Sequence, residues 1–129
     1  MSGRYLLDTN IIIAALASDA SVLDRIDDAD ECFVSIVVLG EMLYGAFNSN
    51  NVDSNLHRLR VFVDQVGALP CDEITAELYG QIKTSLRQQG TPIPENDIWI
   101  AASALQHSLT LVTRDVHFDA VKRLRRSRW

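Results

Sequence analysis

Short apolar runs alternate with longer amphipathic segments along this chain. Tyr5-Leu6-Leu7, Cys32-Phe33-Val34, Ala68-Leu69-Pro70-Cys71 and Leu109 to Thr113 are too brief for helices and suit buried strands. Between them apolar residues recur at helical spacing: Leu56, Leu59, Phe62, Val63 and Val66 in one segment, Ile74, Leu78, Ile82 and Leu86 in another. Strands joined through helices run parallel, and a strand that is apolar throughout needs cover on both sides. The pattern therefore implies an α/β fold with a central, mostly parallel sheet and helices on both faces. The 129 residues contain no linker, repeat or low-complexity stretch, so residues 1–129 are expected to form one domain with a sizeable core.

Turn and cap residues mark where these elements stop. Asp8-Thr9-Asn10 closes the first strand and opens a helix from Ile11 to Ala17, and Ser35 is placed to cap a helix reaching Phe47. Gly90 ends the helix that begins near Ile74. Thr91-Pro92-Ile93-Pro94 must be extended, leaving Asn96 to cap a helix from Asp97 to about His107. A short helix and a terminal strand fill the remainder. Ligands of such folds bind beyond the C-terminal ends of the strands, where Asp8 and Asp115 are expected.

An apolar share of 47% with 22% charged residues describes a soluble globular protein and excludes a disordered one. Cys32 and Cys71 sit apart in apolar surroundings, without CxxC pairing, and read as reduced core residues. No apolar run reaches membrane-spanning length, and the start at Met1 shows no signal-peptide pattern, so a cytoplasmic protein without membrane association is expected. The net charge of −5 weighs against a nucleic-acid partner, but its distribution is uneven. Residues 1–113 carry fifteen acidic and six basic side chains, whereas residues 114–129 carry two and six. Lys122, Arg123, Arg125, Arg126 and Arg128 form either a solvated, partner-facing tail or a surface for phosphates.

Among seventeen acidic residues, Glu41 stands out as the only charge between Phe33 and Phe47. A carboxylate on a helix that is apolar on nearly every face calls for a metal, a cationic partner or a water-filled cleft. Asp8 could merely cap the helix after it, Asp97 could merely favour a helix N-terminus, and Asp115 could be a turn residue or a partner of Arg114. Their convergence on strand ends and helix starts favours a shared site. Close carboxylates repel each other by about 4 kcal/mol per pair at an effective dielectric near 20, so they need a cation to remain ionised together. All-oxygen ligands point to Mg²⁺, with Mn²⁺ as a substitute, and His57, His107 and His117 lack the spacing of a zinc motif. His57 and His107 read as helix-surface or core residues, whereas His117, two residues from Asp115, is within reach of the site.

Four blocks, Leu-Leu-Asp8-Thr9-Asn10, Ser35-Ile-Val-Val-Leu-Gly-Glu41, Asn96-Asp97-Ile-Trp-Ile-Ala-Ala and Leu-Val-Thr113-Arg114-Asp115-Val-His-Phe, together with the final Trp129, resemble a PIN domain, and among PIN domains the VapC-type toxins of bacterial toxin-antitoxin pairs. The resemblance covers nearly the whole chain. It implies a homodimer with divalent-metal-dependent endoribonuclease activity, inhibited by a small cognate antitoxin. It assigns Asp8, Glu41, Asp97 and Asp115 to catalysis and metal binding, with Asp119 as competitor for the fourth position. Thr9, Asn10, Ser35 and Thr113 match polar positions that orient the carboxylates or hold water, capping being their structural alternative. Arg114, Arg123, Arg125 and Arg126 are candidates for contacting RNA. The tail is more basic than the family's usual ending.

In the chemistry this implies, one or two Mg²⁺ ions polarise the scissile phosphate and supply the nucleophile, leaving a 5′ phosphate and a 3′ hydroxyl. Two rival readings exist. Asp8-Thr9-Asn10 is similar to a truncated nucleophile motif of haloacid-dehalogenase-like phosphatases, which would also require a well-placed Lys, with only Lys83 and Lys122 available. A non-catalytic PIN-like binding module would use the acidic pocket only to receive an Arg from a partner.

Overall fold

The computed structural model describes residues 3–129, so Met1 and Ser2, where the leader-free start was read, lie outside the described residues. The chain runs β1 (Arg4–Leu7), α1 (Thr9–Leu16), α2 (Ala20–Asp28), β2 (Glu31–Ser35), α3 (Ile36–Phe47), α4 (Val52–Val66), β3 (Ala68–Leu69), α5 (Glu73–Gln89), α6 (Glu95–Gln106), β4 (Thr110–Val112), a 3₁₀ helix (Val116–Ala120) and β5 (Arg126–Ser127). Among the described residues five strands form one sheet in the order β3-β2-β1-β4-β5. Every pairing is parallel, with Leu6 opposite Phe33 on one side and Leu111 on the other.

This order follows from how the chain winds. β2 and β3 are laid down on one side of β1, after which α5 and α6 carry the chain back so that β4 and β5 add on the other side. The reversal leaves a crevice beyond the C-terminal ends of β1 and β4, the switch point at which open α/β sheets bind ligands. Leu6, Leu7, Leu111 and Val112 are fully buried between the helical layers, as are Ile11, Ile12 and Ile100 on the helices that cover them. Each such side chain contributes about 1.5–3 kcal/mol by leaving water. Phe118, also fully buried, pins the 3₁₀ helix to this core and so fixes the loop after β4.

Three expectations need correction. The acidic stretch before β2 contains most of α2, which the sequence pattern missed because only Val22 is buried there. Asp19 caps it, accepting from the Val22 N–H at 3.3 Å. Helix α6 starts at Glu95 rather than Asp97, since Pro94 is its N-cap and the Pro94 carbonyl accepts from the amides of Asp97 and Ile98. Asn96 therefore lies inside the first turn and caps nothing. Cys71 is only half-buried: β3 stops at Leu69 because Pro70 has no N–H to give the ladder, which leaves Cys71 in the connecting loop. Cys32 is buried as expected, and both cysteines are free. Among the described residues no helix is long and apolar enough to cross a membrane.

Candidate metal centre

Asp8 ends β1 and caps α1, so the strand-to-helix turn itself aims the carboxylate into the crevice. One oxygen accepts from the Thr9 N–H at 2.8 Å, and the other accepts from Thr113 Oγ1 at 2.7 Å and Asn10 Nδ2 at 3.3 Å. Thr113 Oγ1 in turn accepts from the Asp115 N–H at 2.9 Å, and Asn10 Oδ1 accepts from the Arg114 N–H at 3.2 Å. The ends of β1 and β4 are thus tied together through Asp8, Asn10 and Thr113. Asp8 is 5% exposed, and its burial, helped by the charge of Asp115, raises its pKa despite those donors.

Two other elements bring carboxylates to the same place. Asp97, in the first turn of α6, and Asp115, the N-cap of the 3₁₀ helix, both face His117 Nδ1, at 3.6 and 3.1 Å. Ligand atoms from these three residues all lie within 4.8 Å of one another. The Asp97 carboxyl is pushed up to about 6, first by burial and then by the charges of Asp8 and Asp115, with His117 pulling the other way. Glu41, on α3, is solvent-exposed, one of the environments expected for a lone charge on an apolar helix. It opens onto a cavity of about 410 Å³ between α1, α3 and α4. Its pKa is raised all the same, by partial desolvation and by Asp8 and Asp97. The Thr9 hydroxyl offsets a little of that rise but makes no hydrogen bond of ordinary geometry.

A PIN domain family model matches residues 5–124, which is nearly the full length. The chain belongs to the PIN-domain family. It is 31% identical to ribonuclease VapC1 of Haemophilus influenzae over 97% of both chains, and 34% identical to the tRNA(fMet)-specific endonuclease VapC of Shigella flexneri over 98% of both. Its fold superposes with a TM-score of 0.91 and 27% identity, over 98% of each chain, on a chain in the crystal structure of VapBC2 from Rickettsia felis bound to a promoter DNA fragment.

The donor set of this PIN domain fits a divalent cation. Among the described residues no Lys or Arg side chain pairs with Asp8, Glu41, Asp97 or Asp115, and in three of these four carboxyls burial first, then neighbouring carboxylates, raise the pKa. His117 is the residue that sequence reasoning undervalued. Only the 3₁₀ turn after Asp115 brings its ring back over the site, and the two-residue spacing alone did not reveal that turn.

Other candidates are held elsewhere. Asp119 pairs with Arg126 at 3.1 Å and its side chain is two-thirds exposed, whereas Asp115 lies with Asp97 and His117. Ser35 caps α3, accepting from the Val38 N–H at 3.1 Å, and bonds to no carboxylate among the described residues. Arg114 reaches back to the Trp129 carbonyl at 2.7 Å and to Asp19 at 3.4 Å. Arg125 bonds to the Ser108 carbonyl, which precedes β4 at the opposite end of the sheet, and Arg123 lines a shallow cleft with Gln81 and Ser85. Lys83 is paired with Glu95, and Lys122 shares the cleft of Arg123, so neither supplies the cation a haloacid-dehalogenase-like site would need.

Proposed function

We propose that this chain is a metal-dependent endoribonuclease acting as the toxin of a toxin-antitoxin pair. The observation that carries this reading is the convergence of Asp8, Glu41, Asp97 and Asp115, without a basic partner, on the switch point of a PIN-domain sheet. These four would hold Mg²⁺, or Mn²⁺ in its place, with His117 beside them. When bound, the ion would supply Lewis acidity toward a phosphodiester and lower the pKa of an attacking water. Thr113, Asn10 and the Thr9 amide fix both oxygens of Asp8, which fixes the acidic wall against which a phosphate must sit. Asp115 Oδ1, 3.1 Å from His117 Nδ1, is the carboxylate oxygen nearest this exposed ring and so the one placed to pass it a proton. Cleavage in this sense leaves a 5′ phosphate and a 3′ hydroxyl, and an RNA substrate places the action in the cytoplasm.

Relatives solved as VapBC complexes support a cognate small antitoxin for this chain as well. The cavity beside Glu41, lined mainly by Ile13, Leu16, Met42 and Leu59, suits an apolar antitoxin segment. An Arg from that segment would neutralise the acidic cluster and exclude the metal. The deciding experiment is cleavage of single-stranded RNA by the purified chain. Activity with Mg²⁺ that disappears in chelator and returns on re-addition is expected, and a chain inert toward RNA with either Mg²⁺ or Mn²⁺ would refute the reading.

A further inference from the structure

β5 lies parallel to β4, pairing Leu111 with Arg126 and Val112 with Ser127, so the chain's last residues emerge at the same end of the sheet as the carboxylates. There Arg128 Nη1 donates to the Arg114 carbonyl at 2.9 Å. That carbonyl belongs to the residue between Thr113 and Asp115. A cavity of about 260 Å³ is lined by Thr113, Asp115, Asp119, Arg126 and Arg128, among others. The arginines of this region differ in what they have left to offer. Arg114 is engaged by Trp129 and Asp19, and Arg126 by Asp119 and the Phe118 and Leu124 carbonyls. Arg128 is exposed, has no acidic partner among the described residues, and keeps every N–H except the one on the Arg114 carbonyl.

We propose that Arg128 is the phosphate-binding side chain of this nuclease, holding an RNA phosphate next to the scissile one in the cavity it shares with Asp115. The inference rests on the ribonuclease reading and goes beyond it in naming the subsite. An acidic cluster repels the polyanion it must cut, and a cation beyond its edge restores attraction to the strand without occupying the metal ligands. A guanidinium suits the task because its fork can keep one bond to the protein while presenting two N–H groups to phosphate oxygens. Arg128 is thereby separated from Arg123 and Arg125, whose positions point away from the crevice.

The test is steady-state cleavage of a fluorogenic single-stranded RNA with Mg²⁺ at several salt concentrations. Arg128→Gln should raise KM about fivefold or more with kcat changed less than twofold. The slope of log(kcat/KM) against log[salt] should become shallower by about 0.7, the value for one contact with a single strand. Arg128→Lys should recover the salt slope and part of the affinity, whereas Arg123→Gln and Arg125→Gln should leave both parameters near wild type. Loss of kcat with an unchanged salt slope would mean that Arg128 only braces the Arg114 carbonyl, and an unaltered KM would equally overturn the proposal. A wild-type chain that cleaves no RNA would instead defeat the ribonuclease reading, and this subsite with it.

Discussion

Two carboxylates of the cluster differ in the partners that hold them. Asp8 is buried and takes three hydrogen bonds, two of them at 2.7 and 2.8 Å, whereas Glu41 is exposed and is affected chiefly by desolvation and by like charges. Either isosteric amide should abolish RNA cleavage. Without metal, Glu41→Gln should leave thermal stability unchanged or slightly higher, because it removes only repulsion. Asp8→Asn should lie about 1 kcal/mol below Glu41→Gln, since an amide nitrogen in place of Oδ2 cannot accept from both Thr113 and Asn10. Thermal melts in chelator would decide this, and equal shifts for the two variants would contradict the geometry. Asp97 sets a pH dependence of unusual sign for a carboxylate. Its folded pKa, about 6, lies above the ordinary 3.8, so between these values the folded chain binds more protons than the unfolded one. The metal-free protein should lose stability as pH rises from 4 to 6.5, Asp97→Asn should flatten that loss, and Mg²⁺ should stabilise more at pH 7.5 than at pH 5. Denaturant titrations across that range would show it, and a rise in stability over the window attributable to Asp97 would refute the assignment.

The edge strand β5 is two residues long, yet it holds the loop that carries Thr113 and Asp115. The Thr113 amide donates to the Ser127 carbonyl at 3.0 Å, Arg114 grips the Trp129 carbonyl, and the Trp129 ring meets Tyr5 edge-on at 4.9 Å. Trp129→Ala should therefore cost about 3 kcal/mol, as for other buried aromatic truncations, and release the strand. Amide hydrogen exchange should show faster exchange at Thr113 than at Leu6, and unchanged protection at Thr113 would show that the strand stands without its anchor. The strand-helix alternation was readable because Leu6-Leu7 and Leu111-Val112 are buried on both faces, so period and burial coincide. Asp8, Asp97 and Asp115 were readable because each sits beside a boundary that a Thr-Asn turn, a Pro pair or a strand end announces. The same signals failed for α2, whose buried surface is little more than Val22 and Ile26. They failed also for the tail, where the distribution of arginines between the two ends of the sheet depends on the register of β5 against β4. That register rests on a two-residue pairing for which no local sequence pattern exists.

Helix α3 shows how the fold could serve two protein partners at once. At about 100° per residue, Glu41, Met42, Gly45 and Ala46 line the cavity on one side, while Ile36, Tyr44 and Phe47 lie roughly opposite. Ile36, Tyr44 and Phe47 are 44%, 73% and 58% exposed, more than a solvated helix face needs. Leu59 and Phe62 of α4, which the sequence also offered as surplus apolar surface, are buried and finish the core. Association through the exposed stripe would cover it by a two-fold operation, each copy burying the other's Tyr44 and Phe47, and would leave both cavities open for antitoxin. The prediction is a homodimer that depends on this stripe. Light scattering at micromolar concentration and moderate salt should give twice the chain mass for the wild type and a single chain mass for the double variant Tyr44→Ser, Phe47→Ser. That variant should still capture the co-expressed product of the neighbouring small reading frame, because the cavity walls are untouched, and its RNA cleavage should be suppressed in the complex. A wild-type monomer would remove the dimer, a dimeric double variant would move the interface off α3, and a fully active nuclease in the complex would deny the inhibitory role.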